Sequence, residues 1–286
     1  MKVAAIQMVS TPDVQRNLDA AGRLLAEAAA GGAELAVLPE YFCIMGRKDT
    51  DKLACAEQPG AGPIQDFLAD SASRLGLWVI GGTLPLATAD PARVRNASLA
   101  YSPAGLCVAR YDKMNLFRFD DGSQRFDETR VLEPGTELAS FALASKDGHV
   151  YTVGLSVCYD LRFPEHYRAL KADLLVVPSA FTVPTGRAHW ELLLRARAVE
   201  NLAFVVAAAQ GGLHESGRRT WGHSMLVDPW GEILAQRADG AAGADGEEGE
   251  EGEEGGAGQA VVLAELAAAR LDAVRSQLPA LQQRVF

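Results

Sequence analysis

Short apolar segments alternate with helix-like patterns along this chain, and that alternation restricts its possible folds more than any other feature. Residues 3–8 form an apolar segment, residues 18–28 repeat apolar side chains at helical spacing, and residues 35–40 form a second apolar segment that ends on Glu40. The order of strand, helix and strand is that of a parallel βαβ unit. In sheets of this kind, ligands bind at the carboxyl ends of the strands. The sequence therefore predicts an α/β fold with Glu40 at a ligand-binding edge.

The rest of the chain continues the same pattern. We predict helices at 63–75, 164–170 and 186–201, strands at 77–86, 151–158, 173–177 and 202–209, and hairpins around 102–105 and 228–231. Residues 115–138 are polar and irregular, and a connection of that length is typical of a functional loop. Apolar character resumes at 260–263, so we expect one domain over residues 1–286.

Composition and cysteine content favour a soluble, cytoplasmic protein. Hydrophobic residues make up 48% of the 286 residues and charged residues 22%, as in ordinary globular domains. The longest apolar run, at 202–209, is less than half of what a membrane-spanning helix needs, and the first residues lack the apolar core of a signal peptide. We therefore expect no association with a membrane. The four cysteines lack CxxC spacing and are too few for a disulfide scaffold, which predicts reduced thiols in a cytosol.

The negative charge of the chain is concentrated in one segment. The formal net charge is −10, and eight of the 37 acidic residues lie between residues 239 and 258, where there is no Lys or Arg. The 29 acidic residues that remain nearly balance the 27 basic ones, so nothing favours nucleic acid as a partner. Because the segment has almost no apolar area to bury, we predict a disordered insertion at 239–258.

Three reactive side chains end or follow apolar strand patterns. Glu40 ends the segment at 35–40, Lys113 ends a hairpin strand, and Cys158 ends the segment at 151–158. Each residue alone is as well explained by packing or solvation, but a parallel-type sheet would bring all three to one edge. A thiol, a carboxylate and an ammonium group together can carry out acyl transfer. A free thiol ionises near pH ~8.5, so it needs a base or a cation beside it.

Other classes of protein are compatible with some of these residues. A cysteine–histidine hydrolase needs a histidine base, for which His189 in the predicted helix at 186–201 is the candidate, although packing also explains that residue. Tolerance of Glu40→Gln would favour this class. A catalytically silent binding protein could retain the same fold, because a fold does not imply an activity. A zinc site is disfavoured, since no pair of His or Cys has the usual ligand spacing.

The sequence resembles the nitrilase-like carbon-nitrogen hydrolases over almost its whole length. Three motifs in the same order carry the resemblance: Leu38-Pro39-Glu40, Tyr111-Asp112-Lys113, and the run from Gly154 to Glu165. The resemblance implies a four-layer αββα sandwich in a single domain, with a catalytic triad of Glu40, Lys113 and Cys158. It also implies a second glutamate, which we assign to Glu128, with Glu133 as the competing choice.

The reaction that the resemblance implies is hydrolysis of the C–N bond of a small-molecule amide through a cysteine thioester, with no metal or other cofactor. In that mechanism Glu40 takes the thiol proton and Cys158 attacks the carbonyl carbon. Lys113 and the backbone N–H of Tyr159 stabilise the oxyanion. Glu128 holds Lys113.

A particular branch of the family is indicated by the second half of the chain. Residues 178–201 look like the branch that hydrolyses amides of 2-oxoglutarate-type acids, which includes deaminated glutathione amidases and omega-amidases. Residues 205–210 and 222–231 are closer to the former. The expected reaction converts deaminated glutathione to 2-oxoglutarate and cysteinylglycine, and the alternative substrates are 2-oxoglutaramate and 2-oxosuccinamate. We also expect a homodimer or a larger homo-oligomer.

The expected substrate-binding residues are Tyr159, Arg162, Phe181 and Thr185. Arg162 is four residues beyond the cysteine, and its planar guanidinium is suited to a substrate carboxylate. The structural alternative for Arg162 is a salt bridge to Glu165 or Asp160.

Overall fold

The computed structural model describes residues 1–120, 122, 125–237 and 258–285. Its helices are α1 (Val14–Ala30), α2 (Asp51–Ala54), α3 (Pro63–Leu75), α4 (Pro164–Leu170), α5 (Val183–Asn201) and α6 (Ala268–Gln277). Its strands are β1 (Lys2–Gln7), β2 (Leu35–Val37), β3 (Trp78–Ile80), β4 (Leu84–Ala87), β5 (Val94–Tyr101), β6 (Cys107–Asp112), β7 (Arg118–Asp120), β8 (Arg125–Asp127), β9 (Ser140–Ala144), β10 (Val150–Leu155), β11 (Leu174–Val176), β12 (Phe204–Ala207), β13 (Gly211–Leu213), β14 (Arg219–Trp221), β15 (Met225–Val227), β16 (Ile233–Gln236) and β17 (Ala260–Glu265). None of the described helices is long and apolar enough to cross a lipid bilayer.

Two large sheets form the centre of the fold. The first has the strand order β17-β1-β2-β3-β5-β4, with β6 also paired to β5, and the second has the order β16-β15-β12-β11-β10-β9. Strands β1, β2 and β3 are parallel, as are β10, β11 and β12. Helices connect these parallel strands, as the predicted βαβ pattern requires.

Successive side chains of the first sheet point into two different cores, because side chains alternate between the faces of a strand. Val3 and Ala5 pack against the second sheet, in the same buried cluster as Leu155. Ala4 and Ile6 point to the opposite face and pack with α1 and α3.

The outer face of the second sheet is covered by α4 and α5. Tyr167 of α4 and Trp190 and Leu194 of α5 are buried in the cluster that this sheet shares with the first. The layers are therefore α1 with α3, the first sheet, the second sheet, and α4 with α5. This confirms the single-domain αββα sandwich that the resemblance implied.

The three reactive residues come from both sheets, which corrects the expectation that one parallel sheet gathers them. β2 and β6, which precede Glu40 and Lys113, belong to the first sheet, and β10, which precedes Cys158, belongs to the second. β6 and β3 both pair antiparallel to β5, so β6 runs in the direction of β2. Alternating hydrophobicity defines the faces of a strand but not the sheet to which it belongs.

Some predicted boundaries also differ from the structure. The segment at 77–86 forms two strands, because the chain turns at Gly82, where φ is +50° and a Cβ atom would lie 2.0 Å from the carbonyl oxygen of Pro39. Helix α5 begins at Val183 rather than at residue 186. The loop at 115–138 contains the hairpin β7–β8 and a 3₁₀ turn at Glu128–Arg130. The predicted disordered insertion at 239–258 lies outside the described residues, apart from Gly258.

Candidate active site

Glu40 lies in the turn that follows β2, and its carboxylate is buried. The turn is shaped by Tyr41, whose φ of +58° is uncommon for a residue other than glycine and whose N–H donates to Thr83 Oγ1 at 2.8 Å. One oxygen of Glu40 accepts hydrogen bonds from Asn96 Nδ2 and Lys113 Nζ, both at 2.9 Å. Glu40 is therefore a buried carboxylate held in one orientation.

Lys113 follows β6 and lies between two carboxylates. Its Nζ is 2.9 Å from Glu40 Oε1 and 2.8 and 3.1 Å from the two oxygens of Glu128. Burial by itself disfavours the ammonium form, but the charges of Glu128 and Glu40 outweigh burial and raise the pKa of Lys113 above its usual value. Lys113 is thus a permanently charged centre of this cluster.

Glu128 begins the 3₁₀ turn within the loop at 115–138. Besides its contacts with Lys113, it accepts hydrogen bonds from the Tyr41 hydroxyl and from the Phe117 N–H, both at 2.7 Å. Burial opposes its ionisation, but Lys113 and the hydrogen bonds outweigh burial and lower the pKa of Glu128 below its usual value. Glu128 is therefore an ionised partner of Lys113.

Cys158 stands at the sharp turn between β10 and a 3₁₀ helix that spans Cys158–Arg162. Its φ of +50° lies in the left-handed region that costs free energy for any residue with a side chain. The Cys158 N–H donates to Pro178 O at 2.9 Å. Asp160 secures the turn by accepting hydrogen bonds from the Val157 N–H at 2.8 Å and the Tyr111 hydroxyl at 2.7 Å. A strained but well-anchored turn is a feature of functional sites.

The thiol of Cys158 is neutral in the resting site. Burial and the negative charge of Glu40 raise the pKa of Cys158 well above its usual value, although Lys113 acts in the opposite direction. Nucleophilic attack therefore requires a base that removes the thiol proton. Glu40 lines the same pocket as Cys158.

A pocket of about 310 Å³ opens onto the thiol. All four residues that the sequence assigned to substrate binding lie in its wall, together with Glu40, Glu128 and Cys158. The complete lining is Glu40, Phe117, Glu128, Cys158, Tyr159, Arg162, Ala180, Phe181, Thr182, Thr185 and Arg218. The pocket combines a reactive centre with aromatic walls and two arginines, which is the composition of a site for a small polar ligand.

Arg162 faces this pocket without a carboxylate partner among the described residues. It pairs with neither Glu165 nor Asp160, the alternatives that the sequence left open. Its guanidinium lies over the rings of Tyr159 and Phe181, at 5.8 and 6.0 Å from their centroids. The positive charge of Arg162 is thus available to an anionic ligand.

Thr185 and Phe181 are held by contacts within the protein. The Thr185 hydroxyl is 2.8 Å from the hydroxyl of Thr182, and the ring of Phe181 packs against Trp190 with 5.0 Å between centroids. Both residues shape the wall, and neither is free to move without breaking a contact.

Contacts also bear on two alternatives from the sequence. Glu133 forms an ion pair with Arg95, so the glutamate that reaches the lysine is Glu128. His189, the candidate base of a cysteine–histidine enzyme, has its Nδ1 3.2 Å from Arg162 Nη2. A histidine in that position supports an arginine and not a thiol.

Several residues of the site were missed at the sequence level. Asn96, which binds Glu40, is a polar residue inside an apolar strand pattern, and that contrast is a usable signal. Tyr41 is buried and binds Glu128, but a tyrosine after a strand carries no such signal. Phe117 and Arg218 belong to loops, and their place in the pocket depends on the tertiary fold.

Comparisons with known proteins agree with this geometry. The carbon-nitrogen hydrolase family model matches residues 2–275. The chain is 39% identical over 289 residues to a deaminated glutathione amidase of Synechocystis sp., covering 99% of this chain and 97% of that protein. It is 32% identical over 287 residues to an omega-amidase of Xenopus laevis, covering 99% of this chain and 94% of that protein.

A solved structure has the same fold. Yeast Nit3, described as a member of branch 10 of the nitrilase superfamily, superposes with a TM-score of 0.81 at 27% identity, covering 100% of this chain and 97% of that one. The match of the family model over nearly the whole chain, the long alignments and the shared sandwich all lead to one assignment. This chain belongs to the carbon-nitrogen hydrolase family and is a hydrolase of the amidase type.

Proposed function

We propose that this protein hydrolyses deaminated glutathione to 2-oxoglutarate and cysteinylglycine, with Cys158 as the nucleophile. The observation that carries the proposal is the position of Arg162. It lines the pocket of the thiol and has no carboxylate partner among the described residues, so it is suited to the carboxylate of a 2-oxo acid. The names of the two relatives, a deaminated glutathione amidase and an omega-amidase, point to the same class of acid.

The first step forms a bond between Cys158 Sγ and the amide carbonyl carbon. Glu40 accepts the thiol proton as the bond forms, which the raised pKa of the thiol makes necessary. Negative charge develops on the carbonyl oxygen. The Lys113 ammonium and the Tyr159 N–H stabilise that charge, since the first N–H groups of a helix have no acceptor within it.

The second step breaks the C–N bond. Glu40 donates its proton to the departing nitrogen, so that the amine leaves neutral and a thioester remains on Cys158. Glu40, again a carboxylate, then takes a proton from a water molecule that attacks the thioester. The acid is released, and the thiolate recovers its proton from Glu40. Each proton is thereby returned without a metal or other cofactor.

Glu128 and Asn96 act on the reaction through other residues. Glu128 holds Lys113 with two short contacts, and Asn96 orients the Glu40 carboxylate at 2.9 Å. Both are positioning residues in this mechanism. Loss of Asn96 should lower the rate because Glu40 is no longer held in one orientation. Loss of Glu128 should lower the rate and also alter its pH profile, because the charge of Glu128 helps to raise the pKa of Lys113.

The decisive experiment compares three amides in the wild-type enzyme and in Arg162→Ala. The amides are deaminated glutathione, 2-oxoglutaramate and pentanamide, which lacks a carboxylate. We expect the wild type to favour deaminated glutathione, and Arg162→Ala to lose about 30-fold or more in kcat/KM on both 2-oxo acids. Arg162→Lys should recover only part of this loss, since one ammonium cannot form a bidentate contact.

Other results of that comparison would contradict the proposal. Equal cleavage of pentanamide, with the same loss on all three amides in Arg162→Ala, would make Arg162 a structural residue. A preference for 2-oxoglutaramate would favour an omega-amidase. No turnover of any amide by the folded protein would favour a binding protein of the same fold.

We also propose that the protein is cytoplasmic and self-associates. All four cysteines are free thiols, which fits a reducing compartment. Leu192 and Val199 on α5 and Trp230 are 67%, 44% and 51% exposed. The Val199 side chain lies beside Gly231, which follows Trp230, and neighbouring exposed apolar side chains of this kind suit a subunit contact. Light scattering on the purified protein would test this, and a monomer at micromolar concentration would contradict it.

A further inference from the structure

Arg218 is a second cation in the pocket, and the mechanism above does not use it. Its Nη2 donates to Ala180 O at 3.2 Å, and its Nη1 is 3.9 Å from Met45 Sδ. Its Nε is buried and has no hydrogen-bond partner in the described part of the chain. Because a buried donor without a partner costs free energy, the resting enzyme keeps this guanidinium incompletely satisfied beside the thiol.

Arg218 also joins the catalytic pocket to a larger groove outside it. Arg218 and Thr182 line both cavities, and the outer groove is the larger of the two and is open to solvent. Among the described residues, the charged side chains that line the outer groove are four basic ones, Arg47, Lys48, Arg218 and Arg219, and one acidic one, Asp49. This groove is positive on a chain whose formal net charge is −10.

A leaving group that carries a carboxylate would be stabilised by a positively charged groove next to the catalytic pocket. The pocket at the thiol is closely walled by Glu40, Glu128 and the aromatic rings of Phe117, Tyr159 and Phe181, so it suits the acyl group, and the leaving group has to extend beyond it. A departing dipeptide extends up to about 7 Å beyond the scissile nitrogen and ends in a carboxylate. Arg218 lies at the junction of the pocket and the positive groove, because it lines both, so a carboxylate that extends from the pocket can reach it there.

We propose that Arg218 and the groove beyond it form a subsite for amine leaving groups that carry a carboxylate, such as a short peptide. This inference rests on the proposed function, because it takes the acyl side of the substrate to lie at Arg162. The two arginines then bind opposite ends of the substrate: Arg162 binds the carboxylate of the acyl group, and Arg218 binds the carboxylate of the departing amine. An enzyme built in this way prefers peptide-like amides over primary amides with the same acyl group.

The test uses three substrates that share one acyl group and differ in the leaving group. They are deaminated glutathione, its glycine N-methylamide, in which the terminal carboxylate is neutralised, and 2-oxoglutaramate, whose leaving group is ammonia. We expect wild-type kcat/KM to be about tenfold to hundredfold higher for the acid than for the N-methylamide, most of it in KM. In Arg218→Gln this ratio should fall to within about threefold of one.

A matched variant and a salt series complete the experiment. Arg23→Gln removes one positive charge from the exposed face of α1, outside both cavities, and should keep the wild-type preference for the acid. The preference of the wild type should also shrink between 20 and 500 mM NaCl, since salt screens charges at an exposed groove. The salt series uses only the wild-type enzyme, so it still tests the subsite if Arg218→Gln folds poorly.

The outcomes separate the two proposals. If the wild type cleaves the acid and the N-methylamide equally, or if Arg218→Gln retains the preference, the subsite is wrong while the amidase function stands. If neutral aliphatic amides are cleaved as fast as all three substrates, the proposed function is wrong. If none of the three is cleaved, both proposals are wrong.

Discussion

Charged side chains are paired with one another in the inner half of the pocket, around Lys113, whereas the arginines of the outer half, Arg162 and Arg218, have no carboxylate partner among the described residues. In the inner half, Lys113 contacts Glu40 and Glu128 at 2.8 to 3.1 Å, and all three are buried or nearly so. In the outer half, Arg162 and Arg218 have no carboxylate partner among the described residues, and their nearest neighbours are aromatic rings, backbone and a histidine.

This difference reflects what each half has to do without substrate. A buried charge must be compensated within the fold, because its desolvation cannot be recovered elsewhere. Arg162 is partly exposed and remains partly solvated, so it needs no carboxylate partner in the absence of substrate. Arg218 is also partly exposed, and the cost of leaving it without an anion is confined to its buried Nε. The inner half therefore contributes to folding and chemistry together, whereas the outer half contributes to recognition alone.

The largest effect should come from removing the nucleophile. We expect Cys158→Ala to lower kcat by at least about 10⁴-fold while the free energy of unfolding changes by no more than about 1 kcal/mol. Adding Glu40→Gln to Cys158→Ala should lower the residual rate hardly further, because the two residues act as a unit. Activity of Cys158→Ala within tenfold of the wild type would exclude the cysteine as nucleophile.

A stability measurement on two variants tests the division between the halves directly. Lys113→Met leaves two buried carboxylates without a cation, and we expect it to lower the free energy of unfolding by about 3 to 5 kcal/mol. Arg162→Met also removes one cation but should change it by less than about 1 kcal/mol. Urea unfolding of both proteins provides the comparison.

A third variant controls for the loss of packing in Lys113→Met. Adding Glu128→Gln should restore part of the lost stability, because one unpaired carboxylate disappears, although neither protein is active. Equal destabilisation by Lys113→Met and Arg162→Met would show that the two halves of the pocket do not differ in how much their cations contribute to the free energy of unfolding.

Stability should also depend on pH through the inner half. The pKa of Glu128 is lowered from a reference value of 4.5, so its contribution is complete above that pH and is lost as pH falls through the folded-state pKa. The pKa of Lys113 is raised from 10.5, so its contribution is complete below that pH and is lost as pH rises through the folded-state pKa. Melting temperature should therefore be highest between these limits.

The acid side of this profile can be assigned to one residue. Glu128→Gln should flatten the decline below pH 4.5 relative to the wild type, whereas Arg162→Met should leave its shape unchanged. Calorimetry from pH 3 to pH 7 would measure both. An identical acid decline in Glu128→Gln would mean that other carboxylates are responsible.

Sequence reasoning reached the inner half more completely than the outer half. Glu40, Lys113 and Cys158 each end an apolar strand pattern, and that position marks them in the sequence as candidate site residues. Arg218 enters the pocket from a loop beside β14, and nothing local distinguishes it from Arg219. The protonation of Cys158 was equally inaccessible, because it depends on burial and on Glu40 from the other sheet.

The smallest effect should come from the acidic segment at 239–258, which we propose to be dispensable for both halves. Replacing residues 241–256 with a short Gly-Ser linker removes seven carboxylates and should leave melting temperature and kcat unchanged, since the segment has little apolar area with which to pack. Any change in KM for an anionic substrate should be a long-range effect of charge, and it should disappear at 0.5 M NaCl, where the screening length is only about 4 Å. A variant with Gln in place of the six glutamates of this segment keeps its length and should match the linker variant. A marked loss of stability in the linker variant alone would show that the segment packs on the domain.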